Sequence, residues 1–453
     1  MSEKSINLED QKQLFGHPIG LYVLFFTELW ERFSYYGMRA ILVLYITSTT
    51  IGENPGLGWS AGEALALYGW YTMLVYVASI PGGIIADRIT GQRKAVMIGG
   101  LLLVAGHGVL AIEAMWAFYS GLGLIIAGVG LLKPNISTMV GGLYKPGDER
   151  RDKGFTIFYI GINIGAFLSA LIVEYVGEKI GWHYGFGIAG IGMLIGQLVY
   201  AWGQKYLQGV GEFLGKADNP DKEAFDKPLT RVEKDRMIVM FLSFFLIVVF
   251  WGAFEQAGGL MNLYANEKTN LDLMGFSVPA SWFQSVNAFF IITLGTSVAA
   301  FWYKWKMKGK EASSLFKMAI GVIIMGWGFL FMRYASLEYE AHGSSAMYWL
   351  VLAYLFHTIG ELCASPVALS FITKLAPIKY ASIMMGAYFA ATGFGNKLAG
   401  LIGESAAGAG ETETFTGIAI FCTIVGIIVI AILKPLKRLT HGAEDLALDI
   451  KKN

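Results

Sequence analysis

The chain has 453 residues, of which 55% are hydrophobic and 15% are charged, and its formal net charge is +1. This balance gives no hint of nucleic-acid binding, and two cysteines in apolar stretches suggest neither a disulfide framework nor a metal site. The mean hydropathy of +0.52 and the 57 glycines instead favour closely packed helices in a lipid bilayer.

Apolar segments long enough to cross a bilayer recur along the whole chain. The polar start, residues 1–17, is not a signal peptide, because no short apolar core and cleavage site follow it. The sequence predicts twelve spans, six on each side of a polar stretch at 208–236. They lie near 21–48, 63–86, 95–115, 117–143, 155–177, 184–206, 237–264, 280–303, 315–335, 346–371, 381–403 and 415–433.

The first span carries four charges, which are costly in hydrocarbon and should face a protein interior or a water-filled cavity. Glu28, Arg32, Tyr35 and Arg39 follow a 4-3-4 spacing and therefore form one polar stripe on a helix. Glu28 and Arg32 are spaced as an ion pair, and Glu31 adds a spare carboxylate that can take up or release a proton. The alternative is a structural ion-pair cluster that holds helices together.

The loop between the second and third predicted spans has a glycine-rich and basic frame. Its glycines are expected to allow a close backbone approach and a tight turn, and its charges to make contacts that depend on conformation. An ordinary basic turn would explain the positive charges but not the whole frame. The candidate gating residues are Gly83, Asp87, Arg88, Gly91, Arg93 and Lys94.

The fourth predicted span contains a lysine, Lys133, directly before Pro134. No acidic residue lies nearby in the sequence, so a buried Lys133 would need a partner from another helix. Glu255 on the seventh span also lacks a local partner and is the natural candidate. The alternative is a kinked helix whose lysine reaches back to the membrane surface.

Basic residues lie in alternate loops, and the opposite loops are mostly acidic. The positive-inside rule therefore places both termini and the 208–236 stretch in the cytoplasm. The predicted domains are an N-terminal six-helix bundle (1–207), a cytoplasmic linker (208–236), a C-terminal six-helix bundle (237–435) and a cytoplasmic tail (436–453).

Six motifs, in chain order, resemble those of the proton-dependent oligopeptide transporters of the major facilitator superfamily, and the loop described above resembles the loop signature of that superfamily. They lie on spans one, four, five, seven, eight and ten. They read Glu28-x-x-Glu31-Arg32-Phe33-x-Tyr35-Tyr36-Gly37, Gly128-x-Gly130-x-x-Lys133-Pro134-Asn135-x-Ser137, Phe158-Tyr159-x-x-Ile162-Asn163-x-Gly165, Phe250-Trp251-x-x-Phe254-Glu255-Gln256, Trp282-Phe283-Gln284-Ser285-x-Asn287 and Gly360-Glu361-Leu362-x-x-Ser365-Pro366.

The resemblance implies an all-α membrane protein with the major facilitator fold. It implies import of di- and tripeptides in symport with protons by alternating access, with no other cofactor. The implied proton-coupling residues are Glu28, Glu31, Arg32, Lys133 and Glu255. The implied substrate-binding residues are Arg39, Tyr35, Tyr36, Tyr68, Lys133, Asn163, Trp251, Asn287, Glu361, Ser365 and Tyr388.

The sequence departs from the family pattern at several positions. Tyr388 stands where the family usually has a tryptophan, Ala288 where many relatives have proline, and Gly69 where some animal members have histidine. The isolated His107 and His357 are interpreted as packing or hydrogen-bonded residues, so proton coupling should rest on carboxylates. The linker is too short and polar for the two extra helices of many bacterial relatives.

Other functions are less compatible with these residues. Another proton-coupled carrier of a small solute remains the alternative within the superfamily. A drug exporter would not need both a cationic and an acidic end of the site, and an enzyme would need a nucleophile or metal cluster. The predicted protein is a multi-pass protein of the cell (inner) membrane, functional as a monomer, and its partners are peptides and the lipid bilayer.

Overall fold

The computed structural model describes residues 12–144, 148, 150–212, 228–377 and 381–443. Nearly all of the described chain is helical, as predicted. Two short hairpins, β1–β2 (Gln13–Leu14 and His17–Pro18) and β3–β4 (Asp272–Leu273 and Phe276–Ser277), are antiparallel. Much of the predicted linker and tail lies outside the described residues.

The helices of the first half begin with α1 (Ile19–Thr47), which contains the four predicted intramembrane charges. A capping box formed by Ser60 and Glu63 starts α2, because each side chain accepts a hydrogen bond from the backbone N–H of the other. The remaining elements are α2 (Ala61–Val77), α3 (Ser79–Ile85), a π-helical turn (Ala86–Thr90), α4 (Gln92–Leu110), α5 (Met115–Gly142), α6 (Arg150–Ser169), a second π-helical turn (Ala170–Glu174), α7 (Tyr175–Lys179) and α8 (Trp182–Gly203).

The second half begins at Arg231, where Thr230 and Glu233 form another capping box. Residues 231–236 of the predicted linker are thus helical. The elements are α9 (Arg231–Phe254), a 3₁₀ turn (Glu255–Ala257), α10 (Leu260–Lys268), α11 (Trp282–Met307), α12 (Ser314–His342), α13 (Tyr348–Leu375), α14 (Ala381–Ala409), α15 (Glu411–Ala431) and α16 (Leu433–Leu439).

Ten helices within the described residues are long and apolar enough to cross a membrane. α1 is not among them because charges interrupt its apolar sequence, and α14 is not among them either. Large apolar side chains remain exposed on the outside of several helices, such as Leu198 and Trp202 on α8. A bilayer would cover these surfaces. The total of twelve spans stays a prediction.

The chain forms two compact units whose limits cut across two helical segments. Unit 1 comprises residues 1–218, 257–267 and 271–292, so it contains most of α10 and the first turns of α11. Unit 2 comprises residues 219–256, 268–270 and 293–453. Within unit 1, α1 packs against α6 and α8, and α4 packs against α5; within unit 2, α12 packs against α13 and α15.

Candidate functional site

A buried ion-pair cluster lies in the middle of α1. Glu28, Glu31 and Arg32 are 3%, 0% and 2% exposed. The Arg32 Nε atom lies 3.0 Å from Glu28 Oε1 and also pairs with Glu31 Oε2. The predicted pair between Glu28 and Arg32 is confirmed, and one guanidinium serves both carboxylates. Two acids that share one arginine provide a site where a proton can be exchanged.

Aromatic rings surround the positive charges of α1. The Arg32 guanidinium carbon lies 5.6 Å from the ring centroids of both Tyr35 and Tyr36. The Arg39 guanidinium carbon lies 5.1 Å from the ring of Tyr36. Cations near aromatic faces are stabilised by the ring quadrupole, which reduces the cost of keeping them away from water. Tyr36 therefore links the ion-pair cluster to Arg39, one of the predicted substrate-binding residues.

Lys133 on α5 faces the same cluster. Its Nζ atom lies 3.8 Å from the ring centroid of Tyr76 on α2, and it interacts electrostatically with Glu28, Glu31 and Arg32. The expectation that Lys133 has partners on another helix is thus met within unit 1. The predicted pair with Glu255, which belongs to unit 2, stays a prediction.

Tyr76 is a site residue that the sequence interpretation missed. It lies two steps of four residues after Tyr68 on α2, and Thr72 lies between them, so the three share a helix face. Tyr68 and Thr72 are buried, and the Thr72 hydroxyl donates to the Tyr68 carbonyl over 2.8 Å. The same spacing in the sequence could have identified Tyr76.

The other predicted substrate residues of unit 1 lie on separate helices. Asn163 on α6 is 5% exposed, and its side-chain amide donates to the Tyr159 carbonyl over 3.0 Å. The Tyr68 hydroxyl lies against Gly258, between α9 and α10. Asn287 is partly buried on α11. The common role of Asn163 and Asn287 is a proposal.

Unit 2 holds the remaining candidates on three helices that pack against one another, α9, α13 and α14. Trp251 lies one turn before Glu255, and its ring contacts those of Phe250 and Phe254. Glu255 is 2% exposed at the point where α9 tightens into a 3₁₀ turn. On α13, Glu361 and Ser365 are partly buried and one turn apart, and α14 carries the buried Tyr388.

The predicted gating segment runs from the end of α3 through the π-helical turn to the first turn of α4. Gly91 has φ of +73°, a conformation that glycine adopts without strain, so the predicted tight turn is confirmed. Arg93 binds the chain that leaves α8. Its guanidinium donates to Gln204 Oε1 over 2.9 and 3.0 Å and pairs with Glu212 Oε1 at 2.8 Å. Asp87 and Arg88 lie in the π-helical turn, and Lys94 lies in the first turn of α4.

A close backbone approach of the kind expected near this loop occurs at Gly82, directly before Gly83. Gly83 has open space where a Cβ atom would lie. A Cβ at the neighbouring Gly82 would instead collide with the Gly130 carbonyl group on α5, at 2.5 Å from its carbon. Because helical side chains point in different directions at successive residues, only Gly82 faces α5. The gating role of Gly83 stays a prediction.

The isolated histidines and the cysteines are packing residues. His107 and His357 are fully buried, and neither ring nitrogen has a hydrogen-bond partner among the described residues. The His357 ring lies 4.6 Å from the ring of Phe329. Cys363 and Cys422 are free and buried, in separate helices. These observations confirm packing roles for the two histidines.

A polar contact connects the start of α1 with the end of α5. His17 Nδ1 lies 2.8 Å from the Tyr144 hydroxyl. Burial lowers the pKa of His17, and the nearby Arg150 lowers this pKa further. Burial raises the pKa of Tyr144 to about 12. Both side chains are therefore neutral at physiological pH, and this contact is an uncharged hydrogen bond.

The chain resembles known transporters over nearly its full length. The model of the POT family matches residues 93–216 and 224–415. The peptide transporter YePEPT of Yersinia enterocolitica is 35% identical, and the match covers 98% of this chain and 99% of that protein. A di-/tripeptide transporter of Lactococcus lactis subsp. cremoris is 34% identical, with 95% and 98% covered.

A solved structure shares the same fold. It is the crystal structure of a mutant of peptide transporter POT in complex with alafosfalin. Its TM-score is 0.87 and its sequence identity is 35%, and the match covers 96% of this chain and 99% of the other. The coverage extends across both units, so each unit has its counterpart in that structure.

Proposed function

Because the chain belongs to the POT family, we propose that it imports di- and tripeptides together with protons by alternating access. The protein is a multi-pass membrane transporter with the POT fold of the major facilitator superfamily, and it is not an enzyme. The names of its relatives support the peptide substrate class. The observation that carries the proposal is the cluster of the buried Glu28, Glu31 and Arg32 with the partly buried Lys133.

The charges of this cluster suggest how a proton and a peptide are coupled. With all four groups ionised, two carboxylates balance Arg32 and Lys133, and the formal sum is zero. Adding one proton to Glu28 or Glu31 leaves a positive excess in a water-poor site, where charge interactions are strong. A peptide carboxylate would offset that excess. Binding of the anionic end is therefore favoured when the cluster is protonated.

The peptide ends would meet opposite charges. We assign Arg39 and Lys133 to the carboxylate, since cationic side chains form strong charge-assisted hydrogen bonds with it. Glu361 would bind the ammonium group. Asn163 and Asn287 would bond the peptide amides. These contacts fix the backbone and leave the peptide side chains undefined, which suits a site that accepts many sequences.

The walls of the pocket would be mainly aromatic. Side chains of this kind offer large apolar surfaces together with a polar group, so they can accommodate peptides of different sequence. The proposed wall residues are Tyr35, Tyr36, Tyr68, Tyr76, Trp251, Ser365 and Tyr388. Tyr76 is added because it lies over Lys133.

Conformational change would involve the predicted bundles and the loop at Gly83–Lys94. Arg93 and Glu212 form an ion pair at the start of the predicted linker, and such a contact can differ between two states. Glu255 would pair with Lys133 in one of them. We further propose that the protein acts as a monomer in the inner membrane, with both termini cytoplasmic and protons as the only coupling ion.

The deciding experiment is uptake of labelled dialanine into proteoliposomes with and without an inward proton gradient. The wild-type protein should accumulate dialanine only with the gradient. Glu31→Gln and Glu255→Gln should abolish accumulation but retain peptide-for-peptide exchange, which need not move net protons. Glu53→Gln, an exposed glutamate outside the site, is the matched control. Unchanged accumulation by both site variants would refute the coupling roles, and absence of dialanine transport would favour another small solute.

A further inference from the structure

Two glutamates near the end of the fifth predicted span have no part in the function proposed above. Glu174 ends the π-helical turn after α6, and Glu178 lies four residues later on α7. Four residues correspond to about one helical turn, so the two carboxylates are neighbours. Both belong to unit 1, as do Ala280 and Ser281, which directly precede α11.

The Glu178 carboxylate holds the start of α11. The Ala280 and Ser281 backbone N–H groups each donate to it over 2.9 Å, and the Ser281 hydroxyl donates to it as well. Unpaired N–H groups and the dipole of a helix N-terminus favour a negative charge. The arrangement therefore holds α11 most strongly when Glu178 is ionised.

Glu174 is in a different environment. It is 1% exposed, and its Oε2 atom has no hydrogen-bond partner among the described residues. The Ser169 hydroxyl lies 3.3 Å from Glu174 Oε1, but it is only 2.7 Å from the Ala166 carbonyl. Since a hydroxyl has one hydrogen and a carbonyl can only accept, that hydrogen goes to Ala166. The contact with Ser169 is then best made by a protonated Glu174, which donates.

Basic side chains also lie near this pair. Arg39 on α1 interacts electrostatically with Glu174, and Lys179 is adjacent in sequence to Glu178. Lys179 directs its Nζ atom to Ser277 Oγ at 2.9 Å, in the β3–β4 hairpin that precedes α11. With Glu174 neutral, Glu178 carries the single negative charge that holds α11, and one proton removes it.

We propose that Glu178, with a neutral Glu174 beside it, is a proton-sensitive clasp that fastens the start of α11 to the end of span five. On the predicted orientation the clasp faces the exterior. A proton from an acidic exterior converts the Glu178 carboxylate to a neutral acid, which accepts hydrogen bonds more weakly, and α11 is released. The inference rests on the proposed function, because alternating access requires this end of the protein to open.

The clasp can be tested by measuring a distance between two spin labels in unit 1. One label replaces Ile51, which is 85% exposed in a loop that Asn54 ties to the Gly177 carbonyl of α7 over 2.8 Å. The other replaces Met274, which is fully exposed in the β3–β4 hairpin. The labels are attached through Ile51→Cys and Met274→Cys in a background where both buried native cysteines are replaced by alanine.

Acidification from about pH 7.5 to about pH 5, across the range of ordinary and raised carboxyl pKa values, should increase the population with a longer distance. Glu178→Gln should show the longer distance between the labels at both pH values. At neutral pH its ratio of long-distance to short-distance molecules should exceed that of the parent by about tenfold or more, as expected when hydrogen bonds to a charged group are weakened. Glu174→Gln, which mimics the neutral acid, should stay closed at neutral pH and open in acid. Glu113→Gln, an exposed glutamate of unit 1, is the control and should match the parent.

Any of three results would refute the proposed clasp. The distance in the parent does not change in acid, the distance in Glu178→Gln stays short at neutral pH, or the distance in Glu174→Gln is already long at neutral pH. The measurement needs no peptide, so its failure is distinguishable from failure of the proposed function. A protein that opens in acid but does not transport dialanine would refute the substrate assignment and leave the clasp intact.

Discussion

The adjacent glycines at the end of α3 allow a paired test of how closely the second and fourth predicted spans pack. In Gly82→Ala, the added methyl group would lie 2.5 Å from the Gly130 carbonyl carbon and 3.0 Å from the Leu131 N atom, both backbone atoms of α5. Backbone cannot rotate away as a side chain can, so the helices must separate. Overpacking of this kind typically costs about 1–3 kcal/mol.

Gly83→Ala is the matched control because it makes the same chemical change with open space at the new methyl group. Alanine favours a helix over glycine by about 1 kcal/mol, so this variant should be as stable as the wild type or more stable. The assay is thermal unfolding of the purified protein in detergent, followed by circular dichroism. Equal midpoints for the two variants, or a lower midpoint for Gly83→Ala, would refute the packing of α3 against α5.

Three further predictions follow from the site. N-acetylated dialanine should compete with dialanine more weakly by about 2–5 kcal/mol, the cost of leaving Glu361 without its charged partner, and equal inhibition constants would refute the assigned orientation. His107→Leu and His357→Leu should retain proton-driven uptake, because those rings are buried without hydrogen bonds; loss of gradient dependence in either would make histidine a coupling group. Burial lowers the pKa of His17 in the folded protein, so the stabilisation by neutral His17 should be present above about pH 6.5 and be lost as the pH falls below that value. The melting midpoint of His17→Phe should therefore vary less with acid pH than that of the wild type.

The sequence was sufficient to predict contacts and turns that involve residues of a single helix or loop. The pair of Glu28 and Arg32 follows from a spacing of four residues, since helix geometry alone brings such side chains together. The turn at Gly91 was predictable for a similar reason, because its conformation is local. The helical architecture could be recognised as well, because each span has to satisfy its own backbone hydrogen bonds in lipid.

Contacts between helices were less predictable, because they depend on which faces meet. Nothing in the local sequence of Lys133 indicates that its ammonium group lies over Tyr76, a contact that requires α2 and α5 to be aligned. The close approach of Gly82, rather than Gly83, to α5 has the same origin, since successive residues on a helix point about 100° apart. Glu174 and Glu178 were overlooked for another reason. Their chemistry arises from the π-helical turn and from the start of α11, a segment about 100 residues away in sequence.

The distribution of charge over the two units gives the proposed mechanism a physical basis. Unit 1 contains Glu28, Glu31, Arg32 and Lys133, whose charges cancel, and also Arg39. Unit 2 contains the buried Glu255 and the partly buried Glu361. Charges inside a membrane protein commonly mark the pathway of a substrate or an ion, and both signs are represented in this set. A zwitterionic peptide carries both signs of charge, so its carboxylate suits the proposed role of Arg39 and its ammonium group suits the proposed role of Glu361. An uncharged solute could not do this, which is why the charge arrangement favours peptides over a neutral substrate.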